Sequence, residues 1–471
     1  MQISSKAFGY LSLAFVFLLF FLPPIDTDLG WHLRYGEYFL STGTFLKQNT
    51  LTYFLPDYIW MDSRSLYQVL LAVTYKYSGL LGLSVIYGSL GVSIYWIFSK
   101  INSQIPKINI LVFTITILAS WVVFGLGIRT QIFTFAGILA VFYLAKISEK
   151  NPKILILLPL LFIFWANLHG GFVLGLAVCG IVFLQRLANR KWRKAIYLAI
   201  AGFFSALSAL INPYGVGVYE DAIRYTQYPL WTLIAEWVPP NLDTKILLVV
   251  VALITVASIL RYSKRRVTFA LCVILFFILA MQARRSIPFF VLASVLTLSD
   301  SYIERLKLLE KNIYFQKAIS LLLISGIILL ALIQVPNTFS FDTNWKNYCS
   351  SGMQRYPCRA IEYIKSHPID GENVYAPYEW GGFLEWQLPE YKFFVDGRMP
   401  AWPTPDNKSP YTTYLEIVQA QPGYQQKLLS YGTDWLLLGP GTFLDIELQS
   451  KRGEYWKEIY RDEAAVIYVK K

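Results

Sequence analysis

Asp26, Asp28, His32 and Arg34 stand close together in "IDTDLGWHLRYGEY", just after an apolar run ends at Pro23 and Pro24. Two carboxylates one residue apart can take a proton from a hydroxyl or hold a hard divalent cation, Mg2+ or Mn2+, through oxygen. The imidazole and guanidinium beside them suit an anionic oxygen, phosphate above all. Further polar residues return at reversals between apolar stretches: Arg129 and Gln131, Asn167 and His169 in "WANLHGGF", Asn212 in "NPYG", Glu220, Glu236 in "EWVPP", and Arg284 and Arg285 in "QARRSIPFF". Ionisable groups at a membrane boundary are costly, and their default meaning is a site or a water-filled cavity.

That mixture suits movement of a sugar carried on a polyprenyl phosphate. The phosphate leaves the anomeric carbon as an anion, which arginines or a divalent cation stabilise as charge develops. The acceptor hydroxyl must meanwhile lose its proton to a carboxylate within hydrogen-bond reach. Asp26 and Asp28 fit either the base or the metal-ligand role, and the spacing leaves both open. Plainer roles are open as well: Asp28 as the cap of a helix starting at Leu29, His169 with Gly170 and Gly171 as a tight turn, and Trp237 as an interfacial anchor with Glu236 solvated beside it. Arg284 and Arg285 call for an anionic partner, because they place two cations on the face that disfavours them. A transition-metal site is argued against by the histidines, since only His32 and His169 lie on this face while His367 falls in the last part of the chain.

The elements that carry these residues follow from composition. The 471 residues are 55% hydrophobic and 15% charged, with a mean hydropathy of +0.44, the profile of a polytopic α-helical membrane protein. About eleven apolar stretches are long enough to span most of a bilayer, near 7–23, 80–98, 108–126, 131–147, 153–168, 171–189, 195–211, 246–260, 267–282, 287–299 and 317–335. The net charge of +12 does not point to nucleic acid, because 19 basic residues fall in one set of alternate loops and nine in the other. That bias puts the N-terminus in the cytoplasm and the C-terminal part outside the plasma membrane. The first apolar run lacks a small-residue cleavage site and reads as a retained anchor.

Residues 1–340 read as the membrane domain, including an outer loop over 24–79, and residues 341–471 as a soluble extracytoplasmic α/β domain. Two stretches of the outer loop, one opening at Asp28 and one near Asp62 or Ser63, have apolar stripes that predict helices at the membrane surface. In the last domain "CRAIEYIKSH" and "YQQKLLSYG" predict helices, and "NVYAPY", "KFFVDGR", "DWLLLG" and "AAVIYV" predict strands. Cys349 and Cys358 lie in this exported part, where either a disulfide or free thiols can persist, while Cys179 and Cys272 fall within spans.

An acidic motif in the first outer loop, surface helices, about eleven spans and an exported C-terminal domain resemble the GT-C superfamily of membrane glycosyltransferases. That superfamily includes oligosaccharyltransferase catalytic subunits and protein O-mannosyltransferases. "DTDLGWHLRYGE", the R-x-Q at Arg129, "WANLHGGF", "NPYG", "EW" at Glu236 and "WGGFLEW" with "FFVDGR" resemble a bacterial and archaeal GT-C-like group over nearly the whole chain. The resemblance implies a catalytic or metal-binding role for Asp26 or Asp28, and a polyprenyl-phosphate sugar donor with a lipid, glycan or protein acceptor. His32, Arg34, Arg129, Gln131, Asn167, His169, Glu236, Arg284 and Arg285 are then expected to bind substrate. "YEWGGFLEW" is similar to the tryptophan motif that holds the acceptor peptide in oligosaccharyltransferases, although its double tryptophan and acid are represented here only by Glu379 and Trp380. Trp380, Asp396 and Arg398 are therefore expected over the membrane cavity, binding the acceptor, with Asp396-Gly397 as a plain turn the alternative. Two other classes stay open: a transporter or flippase of an anionic lipid-linked substrate, expected to place charges near the bilayer midplane on broken helices, and a non-catalytic scaffold.

Overall fold

The protein is described by a computed structural model covering residues 4–101, 105–227, 230–232, 234–262, 270–343, 349, 356–404, 408–450 and 455–471. Among the described residues, each apolar stretch expected to be a span carries helix over most of its length. Helix Gln131–Ile147 begins and ends where its hydropathy does, and helices Phe172–Ala188 and Ile287–Ser301 lie within two residues of theirs. Three helices are long and apolar enough to cross a bilayer by length and composition: Ser65–Ile101, Leu242–Arg261 and Ile313–Phe341. A bent pair, Arg284–Ser301 with Ile303–Lys311, adds a fourth if taken as one span, and the shorter apolar helices run 10–17 residues. Helix Ser65–Ile101 is interrupted at Gly79, whose φ of 58° and ψ of −158° leave the helical region, so the outer-loop helix and the following span are two helices meeting at a glycine.

The chain divides into two compact units. The first, residues 1–24, 80–223 and 234–339, holds the apolar helices packed on one another. Its interior is aliphatic and aromatic, with Phe20, Tyr87 and Phe124 in ring contact.

The second unit contains residues 25–79, 224–233 and 340–471. Its sheet has the order β2-β1-β3-β5-β4, with β1 Asn373–Tyr375, β2 Lys392–Phe393, β3 Trp435–Leu438, β4 Trp456–Arg461 and β5 Val466–Lys470. The first three strands are parallel and β5 is antiparallel to both of its neighbours. Cys349 and Cys358 are disulfide-bonded, with their Cα atoms 5.7 Å apart.

Residues 25–79, which hydropathy groups with the membrane domain, are built into this second unit. Thr52 bridges Phe393 in parallel, and the Tyr53 and Phe393 amides donate to Phe393 and Leu51 carbonyls at 3.2 Å. Helix Leu29–Thr42 buries Leu29, Trp31, Leu33, Tyr35 and Gly36 and packs on helix Gly381–Gln387, while Leu40 of its expected apolar stripe is exposed. The two helices meet glycine on glycine. A Cβ on Gly30 would fall 1.7 Å from the Gly382 carbonyl oxygen, and one on Gly382 would fall 2.5 Å from the Thr27 oxygen. Overpacking of this kind costs about 1–3 kcal/mol or more when backbone must move, so Gly30→Ala is expected to lower the unfolding temperature of the purified protein by several degrees.

Candidate active site

Asp28 occupies the N-cap position of helix Leu29–Thr42, but its backbone is already helical (φ −84°, ψ −10°) and its side chain makes no capping hydrogen bond. The carboxylate turns sideways instead, and its Oδ1 accepts from the Trp31 indole Nε1–H at 3.1 Å. A Cβ on Gly397 would fall 1.9 Å from that same oxygen. Gly397 is absent from the positive-φ glycines of the described residues, so what requires a glycine there is space for Asp28, not turn geometry. Asp26, 6% exposed, lies two residues before it, and its carbonyl accepts from the Leu29 amide at 3.1 Å.

Tyr356 is pushed above its ordinary phenol value, first by burial and then by the charges of Asp26, Asp28 and Glu379. Three carboxylates therefore act on one hydroxyl in this unit. Tyr378 is raised for a similar reason, with burial first and Asp28 the leading charge. Neither tyrosine nor the role of Glu379 was legible beforehand. Their motifs gave only aromatic spacing.

The other expected residues of this unit divide by exposure. His32 is buried, its ring 3.5 Å from that of Trp31 and edge-on to Tyr67 at 4.8 Å. Arg34 is half-exposed and pairs with Glu37 at 3.5 Å, one turn on. Trp380 is 6% exposed. Asp396 and Arg398, expected over the membrane cavity as acceptor-binding residues, are both fully buried and bonded to each other. The Arg398 amide donates to Asp396 Oδ1 at 2.7 Å, its Nε donates to the same carboxylate at 2.9 and 3.0 Å, and its Nη2 completes the pair. Its Nη1 donates to the Tyr35 hydroxyl at 2.6 Å and its Nη2 to Asn49 Oδ1 at 3.3 Å. A buried guanidinium is held there because every face has a partner.

Glu385 shares this interior, 3.7 Å from Arg398. Burial first, and then the neighbouring Asp396 charge, push its carboxyl well above the usual range, against the pull of Arg398. A raised value means that the folded state holds the proton more tightly. The stability linked to it is full below the ordinary value of 4.5 and is lost as the pH climbs through the raised one. Glu385→Gln, which cannot ionise, is expected to flatten the fall in unfolding temperature as the pH rises above 4.5, measured by thermal unfolding across a pH series.

The first unit has a cluster of its own. Glu236 accepts from Arg129 at 3.2 Å and pairs with Arg285 at 3.3 Å, while the Arg285 and Arg284 amides donate to the Glu236 and Val238 carbonyls at 3.0 and 3.2 Å. Burial works to raise the Glu236 carboxyl, but the two guanidiniums hold it below its ordinary value. Glu236 is thus the common anion of two arginines instead of a solvated neighbour of Trp237, over whose ring Arg285 lies at 4.3 Å. Arg284 makes no side-chain ion pair among the described residues. The cluster is net positive.

Arg129 precedes helix Gln131–Ile147, and the first turn of that helix carries Thr134. The Thr134 hydroxyl accepts from Trp165 Nε1 at 3.2 Å and meets His169 Nδ1 at 2.5 Å. The Gly171 amide also donates to Nδ1, at 3.3 Å. Nδ1 is therefore an acceptor, and the neutral ring carries its proton on Nε2. Gly171 serves the turn and also clears Thr134, since a Cβ there would fall 2.1 Å from its hydroxyl. Asn167 donates to the Ile163 and Ile211 carbonyls at 2.8 and 2.7 Å, tying two loops together. Gln131 opens the helix, and the Thr130 hydroxyl lies 3.5 Å from its amide oxygen.

No group of three or more histidine, cysteine, aspartate or glutamate side chains among the described residues has the geometry of a metal site. Asp26 and Asp28 still suit a hard cation of the kind bound by one or two carboxylates and completed by substrate phosphate oxygens and water.

The fold is found in known glycosyltransferases. Archaeal oligosaccharyltransferase AglB from Archaeoglobus fulgidus, solved with an inhibitory peptide and a dolichol-phosphate, superposes with a TM-score of 0.63 over 94% of this chain and 69% of its own, at 12% identity. ArnT from Cupriavidus metallidurans, bound to undecaprenyl phosphate, superposes with a TM-score of 0.54 over 98% and 97%, also at 12% identity. The Archaeoglobus fulgidus oligosaccharyltransferase in complex with Zn and sulfate gives 0.57 over 98% and 73%, at 11%. No family model matches the chain, and no curated protein matches it. The likeness is one of fold.

Proposed function

We propose that this chain is a membrane glycosyltransferase that moves a sugar from a polyprenyl-phosphate donor to a lipid, glycan or protein acceptor on the outer face of the plasma membrane. The observation that carries the reading is Asp28, whose carboxylate is turned out of its capping position and held sideways by Trp31 and Gly397. An aspartate at this position ordinarily accepts from amides of the helix it opens, and this one accepts from an indole instead.

In the reaction the acceptor oxygen bonds to the anomeric carbon of the sugar, and the bond from that carbon to phosphate oxygen breaks. The acceptor proton passes to Asp28 or Asp26, and the polyprenyl phosphate leaves with the electron pair. Within the first unit, the net positive Arg129–Glu236–Arg285 group with Arg284 is of the kind that binds an anionic oxygen, phosphate above all. Glu236 keeps two guanidiniums oriented, which lowers the cost of fixing them around an anion. A divalent cation, when bound by Asp26 and Asp28, would neutralise phosphate charge. The reading keeps the N-terminus in the cytoplasm and the second unit outside.

The test is transfer of labelled sugar from an undecaprenyl- or dolichol-phosphate donor in membranes containing the protein, with Asp26→Asn and Asp28→Asn at matched expression. Wild type should release polyprenyl phosphate and label an acceptor while at least one variant does not. Equal transfer by all three would sink the reading.

A further inference from the structure

We infer that Trp31 and Gly397 are positioning residues for Asp28: the indole N–H grips one carboxylate oxygen, the bare Cα of Gly397 closes the space beside it, and together they set the orientation from which the carboxylate acts. The inference rests on the role given to Asp28 above and adds the residues that aim it.

The grip is built from three separate stretches of sequence. Trp31 is fully buried, one turn into the helix that Asp28 opens. Its ring is fixed by Trp60 at 5.5 Å, Tyr35 at 6.2 Å and the Arg64 guanidinium at 5.3 Å. Gly382 presses on it as well, for a Cβ there would fall 3.0 Å from Trp31 Cδ1. An indole so confined has one donor and one direction for it, and that donor meets Asp28 Oδ1 at 3.1 Å.

Gly397 comes from the other side. A Cβ at this position would fall 1.9 Å from Asp28 Oδ1 and 3.4 Å from Trp31 Nε1, so it faces the hydrogen bond itself. The turn that presents it is rigid, because Asp396 accepts from the Arg398 amide and Arg398 is anchored on Tyr35, one turn beyond Trp31 on the same helix. The glycine-bearing motifs "WGGF" and "VDGR" therefore act on the acidic loop from within the unit. This gives the buried Asp396 and Arg398 a purpose that acceptor binding does not.

Two substitutions in one aromatic cluster separate positioning from packing. Trp31→Phe keeps an aromatic side chain of smaller volume and deletes the N–H. Trp456→Phe removes the same volume and an indole Nε1 that has no hydrogen-bond partner among the described residues. With an undecaprenyl-phosphate-linked labelled hexose as donor in proteoliposomes, Trp31→Phe is expected to lower kcat about 10-fold, the scale of a lost hydrogen bond to a charged acceptor. Its KM for donor should stay near wild type and its unfolding temperature should fall no further than that of Trp456→Phe, which should match wild type in kcat and KM. Gly397→Ala, which displaces the carboxylate outright, is expected to lower kcat about 100-fold.

A second readout does not need turnover. In protein labelled with 15N-tryptophan, one of the 14 indole signals is assigned to Trp31 by its loss in Trp31→Phe. That signal should shift in Asp28→Asn and in Gly397→Ala, while the Trp456 signal, assigned by its loss in Trp456→Phe, does not. A Trp31 signal unmoved by Asp28→Asn would overturn the inference, as would wild-type kcat in Trp31→Phe alongside an inactive Asp28→Asn. Wild-type transfer by Asp28→Asn would overturn the catalytic reading of that carboxylate instead, and the indole shift alone would then decide whether it is held.

Discussion

Asp28→Asn is expected to lower sugar transfer by about three orders of magnitude, within the range for loss of a positioned proton acceptor. The amide is nearly the size of the carboxylate, and its oxygen can still accept from Trp31 Nε1 at the observed 3.1 Å, so the fold around it should persist. What it loses is the negative charge and the ability to take a proton. The variant should therefore unfold near the wild-type temperature while polyprenyl phosphate release in the labelled-donor assay nearly stops. Asp26→Asn distinguishes the two acids. Asp26 is more deeply placed and contributes with Asp28 and Glu379 to the field on Tyr356, so a comparable loss would assign it a share in the same step. Transfer within threefold of wild type in Asp28→Asn would return this carboxylate to a structural role.

The helices were legible because a segment that must bury or lipid-solvate its whole surface has to be apolar throughout. Helix Gln131–Ile147 was readable to the residue for that reason. Strands Trp435–Leu438 and Val466–Lys470 were readable too, since the first is buried on both faces and the second over its first three positions. Strand Trp456–Arg461 was missed. It is the sheet edge, and its exposed Lys457, Glu458 and Arg461 break the apolar pattern that marks a buried strand.

In the site, residue types were legible and placements were not. That Asp26 and Asp28 are unusual follows from sequence alone. That Gly397 lies against Asp28, or that Arg398 bonds Tyr35 across a separation of 363 residues, does not. Asp-Gly signals a turn by local propensity, whereas the need for a glycine at 397 arises from a contact hundreds of residues away. Arginine at 398 was expected at a binding surface from the likeness of its motif to an acceptor-holding one, which says nothing of its partners here: Tyr35, Asn49, Glu385 and Asp396.

Arg398→Met is expected to lower the stability of the second unit by about 3–5 kcal/mol, the usual cost of removing one member of a buried ion pair and leaving the other. The side chain has no exposed surface, and its guanidinium lies 5.3, 5.8 and 5.4 Å from the ring centres of Tyr35, Trp60 and Trp402. Methionine fills much of the same volume, so the loss is chiefly electrostatic and not a cavity. Asp396 and Glu385 would then face each other in a dry interior without a cation, and the Tyr35 hydroxyl and Asn49 oxygen would lose their donor. Because those penalties belong to the orphaned groups, Arg398→Met combined with Asp396→Asn and Glu385→Gln should cost less than the single change, a departure from additivity expected of residues in one network. Thermal and denaturant unfolding followed by tryptophan fluorescence would measure both. A single variant as stable as wild type would show that water reaches this pair and that it does not hold the turn facing Asp28.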